Sequence, residues 1–263
     1  YDLDARVQPL VIEHEIEHAD FDPARFAATA LGGALSLRID DDGTAAIHAR
    51  TEQLSLDLRA RPVKPAVVFG DGSPTIRHGK ITTSYVQRPR LDVTGEVHLG
   101  RERIAFAGDG VHDHQWLRVT APNLKWIWPH LRLPDGRELT GYVIRDSTGS
   151  RHADADDGAE LGRGAWLIER DSTVRRLQQF DIRATAHVDT ERGRVPTRFA
   201  FEVPELALEL AIAHTVPAPY LSMRAFGDVL DAGLHEGPID VQSHPELRGW
   251  LEIMNAAHVR FKA

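Results

Sequence analysis

Leu91-Asp92-Val93-Thr94-Gly95-Glu96-Val97-His98-Leu99 sets an apolar residue or glycine at every odd position and a polar one at every even position. An extended chain turns successive side chains to opposite faces, so this stretch reads as a strand with one dry and one wet face. Leu35-Ser36-Leu37-Arg38-Ile39, Leu54-Ser55-Leu56-Asp57-Leu58-Arg59 and Leu206-Ala207-Leu208-Glu209-Leu210-Ala211-Ile212 alternate in the same way, and Val11–His18 does so in part. Asp40-Asp41-Asp42-Gly43 and Pro134-Asp135-Gly136-Arg137 read as hairpin turns. In the second, Gly136 supplies positive φ between strands expected over 128–133 and 138–145. Strands recurring about every ten residues with turns between them point to sandwiches or barrels. The fold class is therefore all-β. The chain has 263 residues, which suits two halves. They are expected over 1–120 and 121–263, with Thr120-Ala121-Pro122-Asn123 as the linker.

Three segments read otherwise. Asp22-Pro23-Ala24-Arg25-Phe26-Ala27-Ala28 is expected to start a short helix, with Asp22 as N-cap and Pro23 in the first turn. Residues 245–257 read as a helix or as a closing strand, because Leu247, Gly249 and Leu251 alternate with Trp250. His152-Ala153-Asp154-Ala155-Asp156-Asp157-Gly158 reads as a solvated loop.

Composition removes several function classes. A formal net charge of -8 argues against a general nucleic-acid binder, which needs a basic face. The absence of Cys excludes disulfides, thiolate nucleophiles, Fe–S clusters and cysteinyl zinc sites. No apolar run is long enough to suggest a membrane span, and a cytoplasmic location is favoured over a periplasmic or secreted one. No nucleophile elbow, P-loop or dinucleotide fingerprint occurs, so acyl, phosphoryl and hydride transfer lack their usual sequence support.

The densest polar cluster is Gly108-Asp109-Gly110-Val111-His112-Asp113-His114-Gln115-Trp116. In an extended chain His112, His114 and Trp116 share one face, with Asp113 and Gln115 on the other. Three readings stand. His112 and His114 are metal ligands, although no third ligand is evident. Alternatively, Asp113 is a structural acceptor and the imidazoles are satisfied polar groups. In the third reading this is an acid–base site, in which His passes a proton, Asp fixes its tautomer and an indole face stabilises positive charge.

Gly-x-Gly-Val-His-Asp-His-Gln-Trp resembles the signature of the hydroxyneurosporene synthase family, the carotenoid 1,2-hydratases. Kievitone hydratases, AttH-like proteins and lipocalin-like Diels–Alderases share that fold. Ser84-Tyr85-Val86-Gln87-Arg88-Pro89-Arg90-Leu91-Asp92-Val93-Thr94-Gly95 is similar to the family's upstream segment. Trp126-Ile127-Trp128-Pro129-His130-Leu131-Arg132-Leu133-Pro134-Asp135-Gly136-Arg137-Glu138-Leu139 is similar to its aromatic strand and Asp-Gly turn. The resemblance implies two lipocalin-like β-barrel halves, with the motif near their junction and a pocket for a hydrophobic ligand between them. It carries function to His114 and Trp116, and to Tyr142 on the return strand. Where the family has an acid two residues after that Tyr, this chain has Ile144, and Asp146 follows two residues later. That departure argues against carotenoid hydration itself.

The expected catalytic set is thus His114, Asp113, Trp116, Tyr142 and Asp146. His112, Tyr85, Trp126, Trp128 and Gln115 are the expected substrate-binding residues, and His130, Tyr220 and Trp250 are further lining candidates. Arg88 and Arg90 read as partners in structural ion pairs, with anchoring of a carboxylate or a β-bulge as the alternative. The expected activity is a cofactor-independent, metal-free hydratase, dehydratase, cyclase or isomerase acting on a hydrophobic small molecule (a terpenoid, polyketide or aromatic). A pericyclase that works by shaping its substrate and a non-catalytic lipocalin-like carrier are the alternatives.

Overall fold

The computed structural model describes residues 19–24, 26–69, 75–78, 81–119, 124–146, 158–190, 193–216, 221–225 and 230–255. The alternation in Val11–His18, the Thr120–Asn123 linker, the loop before Gly158 and Tyr220 lie outside them. The strands are β1 (Ala19–Asp22), β2 (Ala27–Ala30), β3 (Leu35–Ile39), β4 (Ala45–Arg50), β5 (Leu54–Pro62), β6 (Val67–Val68) and β7 (Thr75–His78). They continue with β8 (Ile81–Leu99), β9 (Glu102–Val119), β10 (Leu124–Arg132), β11 (Glu138–Asp146), β12 (Ala159–Ile168) and β13 (Val174–Arg176). The last are β14 (Asp181–Thr190), β15 (Gly193–Val203), β16 (Leu208–His214), β17 (Leu221–Ala225), β18 (Leu230–Val241) and β19 (Arg248–Asn255). Among the described residues the only helical pieces are single 3-10 turns at Leu31–Gly33 and Pro204–Leu206. The protein is all-β, as the period-2 pattern requires. No helix among the described residues is long and apolar enough to cross a membrane.

Two antiparallel sheets form. The first runs β1-β2-β3-β4-β5-β8-β6, with β7 and β9 also paired to β8. The second runs β13-β12-β11-β10-β19-β18-β16-β15-β14, with β17 on β18. Contacts divide the chain into two compact units. One holds the described residues up to Phe69 together with Tyr85–Gln115. The other holds Thr75–Ser84 and the described residues from Trp116 onward. β8 changes unit after Ser84 and β9 after Gln115.

Both hairpin turns form where the sequence places them. At the first, Asp40 O accepts the Gly43 N–H at 2.8 Å and Asp42 Oδ1 accepts that of Thr44 at 2.9 Å. Gly43 and Gly136 take φ of +80° and +87°, a region costly for residues with a Cβ. The segment after Asp22 is not a helix. Asp22 Oδ1 accepts the Ala24 N–H at 3.0 Å, closing a tight turn between β1 and β2 instead of capping a helix. Asp hydrogen-bonds its own local backbone equally well in either setting, so the residue type did not decide between them. Of the segment that begins at residue 245, Arg248–Asn255 form a strand, β19.

The second unit has the larger core. Ile127, Leu131, Leu139, Val143, Leu167 and Leu251 share one buried cluster with Phe199 and Phe201 of β15 and Leu210 and Ile212 of β16. Gly249 lies opposite Leu131, and a Cβ there would sit 2.4 Å from the His130 carbonyl oxygen. Gly249→Ala is therefore expected to destabilise the protein by about 1–3 kcal/mol, the usual cost of overpacking, measured as a lowered urea midpoint.

Candidate functional site

In the first unit, strand register sorts side chains into rows. Ala28, Leu37, Ile47, Leu58 and Gly95 lie side by side across five strands. Ile39, Ala45, Ala60 and Val93 form a parallel apolar row on that face. Among the described residues this apolar face is thinly covered. Its buried cluster there is Ala60, Leu91 and Val93, with Ala45 and Leu58 against it. Leu37 stays 37% exposed, and Ile104 and Phe106 of β9 stay 40% and 39% exposed.

Tyr85 shares the buried side of β8 with Gln87, Leu91 and Val93. Its ring packs 5.4 Å from that of Phe69. Its hydroxyl donates to Asp113 Oδ2 at 2.8 Å and accepts from Gln87 Nε2 at 3.4 Å. Asp113 is exposed although its partner is buried. A carboxylate with one oxygen fixed by a buried phenol is held in a single orientation and keeps its other oxygen for a ligand. Gly110 faces Leu91 and Val93, and Asp113, three residues on, meets Tyr85 on that same side of β8. Strict alternation therefore does not carry from Gly110 to Asp113, a local irregularity of the kind that re-aims side chains near active sites.

His112 lies on the opposite side. Arg88 Nη1 donates to His112 Nδ1 at 3.2 Å. Arg has no acceptor and stays charged, so the bonded Nδ1 is the lone pair and the neutral ring carries its proton on Nε2. Burial, and next the Arg88 charge, hold the His112 pKa below its ordinary value; Asp113 acts the other way. Arg88 also lines a cleft of about 820 Å³ with Phe26 and the Asp40–Gly43 turn. His114 and Gln115 are exposed. The Trp116 side chain lies outside the described residues.

The other expected residues lie in the second unit. Tyr142 is buried between Trp128 and Trp166, with ring centroids 5.8 and 5.5 Å away. Trp128 Nε1 donates to Thr140 Oγ1 at 3.0 Å, and Thr140 donates on to the Pro129 carbonyl at 3.1 Å. Trp126 packs with Ile144 and Leu161 and donates through Nε1 to Glu252 Oε1 at 2.5 Å. Asp146 ends β11, half-exposed and paired in register with Leu124 and Ala159. Four residues of strand separate it from Tyr142, about 13 Å, so the two do not form one acid pair. His130 is buried on β10. Trp250 donates to Glu236 Oε1 at 2.8 Å. Sequence reading missed Gln87, Trp166 and Glu252. Glu252 stands 126 residues from its Trp126 partner, a distance no local pattern spans. Among the described residues no three His, Asp or Glu side chains cluster to hold a metal ion.

The model of the AttH-like family matches residues 11–256. The chain belongs to the AttH-like family. Among solved structures it is similar to an AttH protein of Nitrosomonas europaea, with TM-score 0.70 and 20% identity, over 86% of this chain and 68% of that one. It is also similar to kievitone hydratase from Nectria haematococca, with TM-score 0.63 and 16% identity, over 89% of this chain and 72% of that one. No curated protein matches the chain.

Proposed function

We propose that this AttH-like protein is a cofactor-independent enzyme that moves a proton on a hydrophobic small molecule, in hydration, dehydration or a related cyclisation or isomerisation. The observation that carries the reading is the Tyr85–Asp113 pair on the side of β8 that continues into Leu91, Val93 and the under-covered apolar rows. An apolar ligand lying along Leu91 and Val93 completes that part of the face at about 25 cal/mol per Å² buried, with Asp113 three residues along β9 from the Gly110 that touches them. In a dehydration, Asp113 takes the proton from the carbon next to the leaving hydroxyl. The proton then departs with hydroxide as water, and hydration is the reverse. Tyr85 and Gln87 hold the carboxylate in position.

Asp113, rather than His114, is the proton-moving group in this reading, because its orientation is fixed by Tyr85. Arg88 holds His112 on the other side of β8. The hydratase of similar fold performs chemistry of this class, at an identity that speaks for the fold alone.

Fluorescence of N-phenyl-1-naphthylamine tests the binding step. It is expected to rise on addition of the protein and to fall as farnesol displaces the dye. Leu37→Asp, which sets a charge on the apolar face, is expected to weaken both by about tenfold or more. Unchanged affinity in that variant would remove the apolar face from the account.

A further inference from the structure

We infer that the polar face of the same sheet holds a second binding site, for a small molecule bearing an oxyanion: a carboxylate or a phosphoryl group. Register sets Arg38, Ala46 and Arg59 side by side on β3, β4 and β5. One step along the strands, Ser36, His48 and Asp57 form a parallel row. Between the rows runs a groove of about 610 Å³. Its floor is the backbone of the Leu37–Ile47–Leu58 row, whose side chains point to the opposite, apolar face.

The two arginines stand two strands apart, about 10 Å, with only the Ala46 methyl between them. Among the described residues no carboxylate forms an ion pair with Arg59, which acts on Asp42 through space. Arg38 uses Nε on Asp40 at 3.1 Å, so both of its terminal nitrogens are left for a ligand. Guanidinium groups meet carboxylate and phosphoryl oxygens in pairs of parallel hydrogen bonds. An oxyanion seated over Ala46 meets both. On the other bank, Asp57 Oδ1 lies 2.6 Å from His48 Nδ1. With Nδ1–H donating to the carboxylate, the neutral tautomer of the ring leaves Nε2 as an acceptor. Beside it in register, Ser36 adds a hydroxyl. One bank thus binds negative charge and the other accepts from a hydroxyl, the pattern for a hydroxy acid or a phosphorylated alcohol. Asp57 repels an anion on its own bank, which directs the oxyanion toward the arginines.

The probes are inorganic phosphate and acetate, titrated separately into ¹⁵N-labelled full chain, with KCl at matched ionic strength as control. Saturable shifts are expected at the Ala46 and Arg59 amides with at least one of the two anions, and which one saturates distinguishes phosphoryl from carboxylate recognition. Arg59→Ala is expected to weaken binding about tenfold, the worth of one charged hydrogen bond. Arg61→Ala, whose guanidinium pairs with Asp92 away from the groove, is expected to leave it intact. Shifts that fail to saturate, that KCl reproduces, or that persist in Arg59→Ala while the chain stays folded would overturn the site.

Discussion

Asp113→Asn is expected to slow the chemical step by about 10²- to 10⁴-fold, the usual contribution of a positioned acid or base. The amide keeps the shape of the side chain and still accepts from the Tyr85 hydroxyl, so apolar ligand binding is expected to stay within about twofold of the parent. Tyr85→Phe removes the orienting bond, seen at 2.8 Å, without removing the carboxylate. Its expected effect is smaller, about tenfold in kcat, from looser placement. His114→Ala separates this account from one centred on the imidazole, and here it is expected to cost less than about tenfold. If Asp113→Asn keeps full turnover while His114→Ala abolishes it, proton transfer belongs to the His112–His114 side of β9. If neither variant loses rate, the protein shapes its ligand or carries it.

The second large effect concerns acid stability. His214 is buried on β16, with Nε2 3.0 Å from the Leu251 carbonyl and Nδ1 without a hydrogen-bond partner among the described residues. The neutral ring donates from Nε2, and protonation would place a second N–H where nothing accepts it. Burial accordingly pulls its pKa from 6.5 down to about 4, partly opposed by the Leu251 bond. A folded pKa below the unfolded one means that the unfolded chain binds more protons between those two values. Stability from this group is therefore full above pH 6.5, falls through the window down to about pH 4 and levels off below it. The expected loss is about 3 kcal/mol, because each tenfold change in proton affinity is worth about 1.4 kcal/mol. His214→Gln keeps a donor for Leu251 and has no proton to gain. Urea unfolding at pH 7 and pH 4.5 is expected to show a smaller drop for the variant than for the parent. Equal drops would assign the acid sensitivity to the carboxylates.

The period-2 stretches and Asp-Gly turns were legible in the sequence because strand alternation and positive-φ turns leave local signatures. Leu35–Ile39, Leu54–Arg59 and Leu91–Leu99 all formed strands, in β3, β5 and β8. Asp22 misled because an Asp that closes a turn and an Asp that caps a helix look alike in one dimension. The site was legible only as a list of residues. His112 and Asp113 part company because Arg88 and Tyr85 lie on opposite sides of β8, and their contacts span 24 and 28 residues. Pairings at that range depend on register, which no short window contains. The arginine groove was invisible for the same reason. Arg38 and Arg59 are unremarkable until β4 lies between them.

The central claim is that an apolar small molecule sits on the thin face of the first unit beside Asp113. Intermolecular NOEs from bound farnesol to methyl-labelled protein test it most directly. Contacts to the Leu91 and Val93 methyls are expected, together with a shift of the Asp113 amide. Binding that yields NOEs only to residues of the ten-stranded sheet, or no binding at all, would contradict it.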